Sequence, residues 1–222
     1  MAETLQQKLD LVQQRIHAAC ARAHRDPAGV RLLAVTKIFP VDVIREAHAI
    51  GLREFGENYV QEMETKAPAV ADLEGARFHL IGHLQSNKTK KAAQIFQTID
   101  SVDSVKLARR LDAEDVPLDI TIEVKLSHEE SKTGADAAGL TDLVEAVRTS
   151  RNLQLKGLMT VPPWSEDVEL SRPYFAKLRE LAARHNIAEL SMGMSHDLEV
   201  AIEEGATWVR VGTALFGKRK KP

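Results

Sequence analysis

The segment RLLAVTKIFP, residues 31–40, indicates how this chain folds. Its apolar run LLAV is typical of a strand that is buried on both faces, and Pro40 closes the segment. The next ten residues, VDVIREAHAI, carry apolar side chains at helical spacing. A strand followed by a helix is the repeating unit of a parallel sheet. One residue does not fit a purely structural segment, because Lys37 stands at the end of the apolar run, just after Thr36.

The alternation of strand and helix patterns continues to the end of the chain. A first helix is predicted over residues 5–23, where apolar side chains recur every three or four positions. The predicted strands are RLLAVT (31–36), LREFG (52–56), RFHLIG (77–82), FQTIDSV (96–102), PLDITIEV (117–124), LQLKGLM (153–159), AELSMG (188–193) and WVRVG (208–212). We therefore predict an α/β fold, a single (β/α)8 TIM-type barrel with an extra N-terminal helix. A doubly wound open sheet is the alternative.

Length and composition fit one domain over residues 1–222, with the N-terminal helix in residues 1–26 and the barrel in residues 31–217. The formal charge is −2, so nothing global indicates a nucleic-acid partner. There is no run of 18 apolar residues and no signal-peptide pattern, so we expect a cytoplasmic protein without a membrane partner. Cys20 is the single cysteine and lies on the apolar face of the first helix, where we expect a core residue.

In a (β/α)8 barrel the functional site lies at the carboxyl ends of the strands. Lys37 is predicted to end the first strand, on the same side as Leu33 and Val35. Most lysines at such positions extend into solvent. A lysine held among apolar side chains has a lowered pKa, however, and its neutral amine can form a Schiff base with an aldehyde.

Two glycine-containing segments follow the seventh and eighth predicted strands, SMGMS (191–195) and RVGTALFG (210–217). Gly193 permits close backbone approach, Ser195 is expected to cap the next helix, and Gly212 and Thr213 supply an amide and a hydroxyl. Loops in these places frequently bind phosphate in this fold, although a cap and a tight turn without a ligand are the alternative. A lysine together with a phosphate site fits pyridoxal 5′-phosphate (PLP), which carries an aldehyde and a phosphate.

Eight segments make the sequence similar to a known family. They are AVTK (34–37), FGENYVQE (55–62), HLIGHLQSNK (79–88), EESKTG (129–134), GLMTV (157–161), SMGMS (191–195), AIEEGAT (201–207) and VRVGTALFG (209–217). Together they resemble the pyridoxal-phosphate homeostasis proteins, whose barrel resembles the N-terminal domain of alanine racemase. The resemblance covers nearly the whole chain. One departure is Leu126, where family members often have a more polar residue, and it leaves the role of the following loop open.

The resemblance implies a set of cofactor-binding residues. They are Lys37, Asn58, Met194, Ser195, Arg210, Gly212 and Thr213. In this set Lys37 carries PLP as an aldimine, Ser195, Gly212 and Thr213 bind the phosphate, and Arg210 faces the pyridine nitrogen. Without the resemblance, the sequence favours a role for Arg210 in an ion pair inside or at the rim of the barrel.

Arg210 also bears on the choice between a carrier and an enzyme. A protonated guanidinium opposite the pyridine nitrogen disfavours protonation of the ring, which weakens the ring as an electron sink. The resembling racemase takes a second base from a tyrosine on an additional domain. This chain, by contrast, ends soon after the predicted barrel, and Tyr59 and Tyr174 are the only tyrosines in its sequence. We therefore expect a monomeric PLP carrier that buffers the cofactor and delivers it to apo-enzymes without robust turnover. A PLP-dependent amino-acid racemase and a barrel without cofactor are the alternatives.

The remaining polar clusters indicate no further site. His79 and His83 are four residues apart on a predicted strand and loop, so we expect hydrogen-bonded histidines rather than a metal pair. The Lys88–Lys91 run fits a solvated helix face, and the Glu129–Gly134 loop fits an exposed cover. The basic tail GKRKKP, residues 217–222, fits a solubilising role.

Overall fold

The computed structural model describes residues 3–127 and 133–217. The strands are β1 Arg31–Val35, β2 Glu54–Glu57, β3 Arg77–Leu80, β4 Thr98–Val102, β5 Leu118–Lys125, β6 Ala135–Asp136, β7 Leu153–Met159, β8 Glu189–Met194 and β9 Trp208–Val211. The helices are α1 Leu5–Arg22, α2 Val41–Ala49, α3 Val60–Lys66, α4 Thr89–Ile95, α5 Val105–Asp112, α6 Leu140–Arg148, α7 Arg172–Arg184, α8 Leu198–Glu203 and α9 Thr213–Phe216.

The sheet closes on itself as a barrel of eight parallel strands. Its order is β1, β2, β3, β4, β5, β7, β8 and β9, and β9 pairs again with β1. Among the described residues, the short strand β6 pairs only with the end of β5. A helix follows each barrel strand, as the alternating sequence pattern predicts. The predicted (β/α)8 barrel is therefore confirmed, and each predicted strand agrees with an observed one to within two residues at either end.

The main hydrophobic core lies between the barrel and its outer helices. Strand residues such as Ala34 and Phe55 belong to one buried cluster with Ile44 and Ala47 of α2. Each strand thus buries one set of side chains beneath the helices, because successive residues of a strand point to opposite faces. The other set points into the barrel and decides the chemistry at its two ends.

Helix α1 packs against the outside of the barrel. Thr4 caps it, with a capping box completed by Gln7. Arg15 donates two hydrogen bonds, of 2.6 and 2.8 Å, to the Glu199 carboxylate on α8. Cys20 is completely buried in the apolar face of α1, which confirms its expected place in the core.

The amino end of the barrel interior is charged rather than apolar. His79 lies there with Nδ1 at 2.8 Å from Asp100 Oδ2 and Nε2 at 2.8 Å from Glu54 Oε2. Burial alone would lower the pKa of His79, but the two carboxylates outweigh burial and raise it to about 9. His79 is therefore a hydrogen-bonded barrel histidine, as expected, and it is protonated at neutral pH.

The other histidine of the predicted pair lies elsewhere. His83 is half-exposed, with Nδ1 at 3.4 Å from Asp103 Oδ2. Within residues 3–127 and 133–217, no group of three or more His, Cys, Asp or Glu side chains is arranged to hold a metal ion. In the same part of the chain, no helix is both long enough and apolar enough to cross a bilayer.

Candidate cofactor-binding site

A cavity of about 360 Å³ opens at the carboxyl ends of the barrel strands. It is lined by residues at the ends of β1, β8 and β9 and by residues from the loops after β1, β2, β3, β7, β8 and β9. All seven residues that the sequence singled out contribute to its wall: Lys37, Asn58, Met194, Ser195, Arg210, Gly212 and Thr213. Its volume lies in the range usual for small-molecule sites. The fold therefore brings into one cavity residues that are up to 176 positions apart in the sequence, such as Lys37 and Thr213.

Lys37 lies two residues beyond the end of β1, not at its last position as the sequence predicted. The strand ends at Val35, and the Phe39 N–H donates to the Thr36 carbonyl at 3.1 Å, which closes a turn around Lys37. Val35 and Lys37 nevertheless both face the cavity, which agrees with the predicted side of the strand. Lys37 is partly buried, at the junction between the strand and the turn.

The expected capping role of Ser195 is wrong. Helix α8 begins only at Leu198, and the residue before it, Asp197, makes no side-chain cap. The Ser195 hydroxyl instead accepts a hydrogen bond of 3.2 Å from the N–H of Ala214, in the first turn of α9. Asp197 Oδ1 accepts the Met194 N–H at 2.7 Å and folds this loop back on its strand. Ser195 therefore joins the loops after β8 and β9, and its hydroxyl is held at the cavity wall.

Two glycines allow the loops to approach as closely as they do. Gly193 has φ 87°, and a Cβ at this position would lie 2.5 Å from the Ala201 Cβ. A Cβ at Gly82 would lie 2.3 Å from the Asn58 carbonyl oxygen. Any larger residue would push apart the loops that hold Met194 and Asn58 in the cavity wall.

Arg210 is buried on β9 and reaches the cavity from below. Its guanidinium donates to the Ser191 hydroxyl at 2.8 Å and to the Thr160 carbonyl at 2.9 Å. Burial lowers the pKa of Arg210, and the charges of nearby carboxylates, such as Asp100, oppose this effect. Within the described residues no carboxylate forms an ion pair with Arg210, so it is held by neutral oxygens rather than by a rim ion pair.

Five further lining residues were not singled out from the sequence: Val35, Ile81, Val161, Trp164 and His196. The rings of Trp164 and His196 stack with centroids 6.0 Å apart, and Trp164 is 72% exposed. Trp164 lies shortly after β7, in the segment VPPW. The rule that selected Lys37, a notable side chain just after a predicted strand, would also have selected Trp164.

A larger cavity of about 550 Å³ lies at the other end of the barrel. Its charged walls include Arg77, whose guanidinium donates to Asp119 Oδ2 at 2.8 Å. In (β/α)8 barrels the amino end contributes to stability, and function is found at the carboxyl end. The Arg77–Asp119 ion pair in the wall of this cavity therefore fits a structural role.

Comparison with known proteins identifies the family. A family model described as "Alanine racemase, N-terminal domain" matches residues 8–220. A pyridoxal phosphate homeostasis protein of Pseudomonas aeruginosa is 48% identical over 97% of this chain and 96% of its own length. One of Aquifex aeolicus is 45% identical over 96% of this chain and 98% of its own length. The chain belongs to the pyridoxal phosphate homeostasis protein family.

Solved structures agree with membership of the pyridoxal phosphate homeostasis protein family. The structure of PipY of Synechococcus elongatus with PLP bound superposes with a TM-score of 0.81 and is 39% identical, covering 93% of this chain and 100% of PipY. An alanine racemase of Clostridium difficile 630 superposes with a TM-score of 0.68 at 12% identity. This chain spans 60% of that racemase, and the likeness is one of fold alone.

Proposed function

We propose that this protein binds PLP in the cavity at the carboxyl end of its barrel, linked to Lys37, and that it buffers the cofactor and delivers it to apo-enzymes. The observation that carries the proposal is the convergence of all seven predicted residues on one cavity. The related PipY structure contains PLP. PLP supplies an aldehyde that condenses reversibly with a lysine amine, with loss of one water.

The composition of the cavity wall fits PLP at both of its reactive ends. Lys37 supplies the amine at the turn after β1. On the β8 and β9 side, the wall includes the hydroxyl groups of Ser195 and Thr213. The first hydrogen bond of α9 runs from the Leu215 N–H to the Gly212 carbonyl, so the N–H groups of Gly212 and Thr213 take no part in the hydrogen bonds of that helix. Backbone and hydroxyl donors of this kind suit a phosphate.

Between these two ends, apolar and aromatic groups such as Val35 and Trp164 fit the faces of a flat ring. Asn58 and Met194 complete the walls. In the proposed complex Arg210 approaches the pyridine nitrogen, since its guanidinium is held below the cavity by Ser191 and Thr160. The groups present therefore fit an aldehyde, an aromatic ring and a phosphate.

We further propose that the protein does not turn over amino acids efficiently. Arginine donates hydrogen bonds and does not give up its proton at neutral pH, so Arg210 would favour an unprotonated ring nitrogen. Such a ring withdraws electrons less strongly than a protonated one. The residues proposed to bind PLP all lie in a single barrel, so the proposal of a monomeric carrier invokes no second copy of the chain.

Spectroscopic titration tests the binding proposal. PLP added to the wild-type apo-protein should give the visible absorbance of a protonated imine, whereas Lys37→Arg, which retains charge but cannot condense, should not. Lys91→Arg, at an exposed position on α4, is the matched control and should behave as wild type. Equal visible absorbance from Lys37→Arg and wild type would overturn the assignment.

Prolonged incubation with alanine tests the carrier proposal against the racemase alternative. The PLP-loaded protein should produce at most a trace of the other enantiomer, as measured by chiral chromatography. Transfer of the cofactor to a PLP-requiring apo-enzyme should restore the activity of that enzyme. Sustained racemisation over many turnovers would contradict the carrier proposal.

A further inference from the structure

A cluster of three charged residues, two of them buried, lies beneath the turn that carries Lys37. It consists of Glu57 at the end of β2 and of Glu62 and Lys66 on α3. Lys66 Nζ lies 2.9 Å from Glu57 Oε1 and 2.6 Å from Glu62 Oε1. The Glu57 side chain is completely buried, that of Lys66 is 8% exposed, and that of Glu62, nearer the surface, is 21% exposed. None of these three residues lines the cavity, so the proposed cofactor site does not by itself account for them.

The cluster holds the two peptide groups on either side of Lys37. Lys66 Nζ donates to the Thr36 carbonyl at 3.1 Å, and this carbonyl belongs to the peptide that precedes Lys37. The Ile38 N–H, which belongs to the peptide that follows Lys37, donates to Glu62 Oε1 at 2.5 Å. Since both flanking peptides are fixed, the direction in which the Lys37 Cα–Cβ bond points is fixed as well.

Two more contacts fix the start of the turn. The Thr36 hydroxyl donates to Glu57 Oε1 at 2.7 Å, and the Thr36 N–H donates to the Gly56 carbonyl at 3.0 Å. Glu57 thereby connects Thr36 to Lys66, and the three charged residues act as one unit on the same turn.

The backbone at Ile38 indicates that the turn is held in an unfavourable shape. Its φ is 69°, in the left-handed region that β-branched residues rarely adopt. Such a conformation persists only when surrounding contacts enforce it. The hydrogen bond from the Ile38 N–H to Glu62 is a contact at this very residue.

Stability alone is a weak explanation for a buried cluster of this kind. Buried ion pairs are often no more stabilising than apolar residues of the same volume, because both charges must be desolvated. Here one oxygen, Glu57 Oε2, is buried without a hydrogen-bond partner among the described residues, which adds a further cost. A positioning role accounts for a costly cluster whose donors and acceptors are directed at the peptides around Lys37.

We infer that Glu57, Glu62 and Lys66 position Lys37 by holding its two flanking peptides, so that its amine is aligned with the aldehyde of a PLP bound in the cavity. This inference rests on the proposed function, in which Lys37 is the cofactor lysine. The three residues are positioning residues and do not contact the cofactor. In the measured reaction the neutral Lys37 amine displaces the aldehyde oxygen as water, and added borohydride then supplies the hydride that fixes the link.

The decisive variants lie on helix α3. Glu62→Ala removes the acceptor of the Ile38 N–H, and Glu62→Gln restores an acceptor without the charge. Glu64→Ala, two residues along the same helix, is the matched control, since Glu64 pairs only with the exposed Lys91 among the described ion pairs. For each protein we would measure the rate of covalent attachment of PLP, the affinity for pyridoxine 5′-phosphate, which lacks the aldehyde, and amide hydrogen exchange in the apo-protein.

We expect Glu62→Ala to slow attachment about tenfold, because small misplacements of reacting groups carry large rate penalties. Exchange of the segment that contains Ile38 should accelerate about tenfold with the loss of one hydrogen bond. Affinity for pyridoxine 5′-phosphate should stay within about twofold of wild type, because the phosphate contacts come from other loops. Glu62→Gln should recover most of the attachment rate, and Glu64→Ala should match wild type.

Each other outcome contradicts the inference in a distinguishable way. If Glu62→Ala attaches PLP as fast as Glu64→Ala does, the cluster does not position Lys37, although the proposed function stands. If Glu62→Ala loses attachment and pyridoxine 5′-phosphate binding together, the cluster merely maintains the fold. If wild-type protein is not labelled at Lys37, the proposed function fails and the inference fails with it.

Discussion

His79 should make the stability of the apo-protein fall as the pH rises above neutrality. Its pKa is about 9 in the folded protein and 6.5 in the unfolded chain, since Asp100 and Glu54 stabilise its charged form. A raised pKa gives stability that is complete below pH 6.5 and is lost as the pH rises to about 9. Over this interval the folded state binds more protons than the unfolded state does.

The size of the effect follows from the difference between the two pKa values of His79. A tenfold change in the proton-binding constant corresponds to about 1.4 kcal/mol, so the free energy of unfolding should fall by roughly 3 kcal/mol between pH 6.5 and pH 9. For a domain of ordinary stability this is a large fraction of the total. The full effect is expected because His79 is buried and its two carboxylate partners are within hydrogen-bond distance.

Urea denaturation at a series of pH values from about 6 to about 9 tests this prediction. The His79→Gln variant keeps a polar side chain but cannot carry the charge, so the fall in stability over this pH range should be absent from it. Subtracting the variant curve from the wild-type curve removes the contribution of exposed histidines. Identical pH profiles for the two proteins would refute the assignment of the raised pKa to the His79, Asp100 and Glu54 cluster.

Two further substitutions test the packing around the site. Lys66→Met leaves the Glu57 carboxylate buried without its counter-charge and should lower the free energy of unfolding by about 3–5 kcal/mol. Lys91→Met, which removes one partner of an exposed ion pair, is the control and should leave the free energy of unfolding unchanged. Equal effects of the two substitutions in denaturant titrations would contradict the role of the buried ion pair. Gly193→Ala should cost about 1–3 kcal/mol and weaken PLP retention, because it combines φ 87° with a Cβ clash. Gly29→Ala, where no atom lies within 4 Å of the added Cβ, is its control in thermal melts, and equal melting temperatures would count against the close approach at Gly193.

Much of the fold could be predicted because its determinants are local. A buried strand and an amphipathic helix each leave a pattern within about ten residues, and eight repeats of that pair point to a closed barrel. Lys37 and the SMGMS segment were found in the same way, because the ends of strands define the functional face of this fold.

What could not be predicted depends on contacts between distant segments. Ser195 resembles a helix cap in sequence, but its hydroxyl bonds to Ala214 in another loop. The cluster beneath Lys37 was missed because Glu57 and Lys66 resemble a strand end and a helix surface in sequence, and only the packing of α3 against β2 buries them together. The role of the Glu129–Gly134 loop stays a prediction, since residues 128–132 lie outside the described part of the chain, as does most of the basic tail.

The Lys88–Lys91 run was predicted as a solvated helix face, and the structure confirms that prediction for Lys90 and Lys91, whereas Lys88 precedes α4 and is only partly exposed. Lys90 and Lys91 are exposed on α4, and Lys91 pairs with Glu64 across the surface. Charges on one face of a short surface helix can be recognised from the sequence because they need no distant partner to stay in solvent.

The attachment of PLP to Lys37 is tested most directly by reductive trapping. Wild-type protein loaded with PLP is treated with borohydride, digested and mapped by mass spectrometry. We predict that the added mass of the reduced cofactor lies on the peptide containing Lys37 and on no other lysine in stoichiometric amount. Stoichiometric label on a different lysine, or no label on a protein that retains PLP, would contradict the role proposed for Lys37.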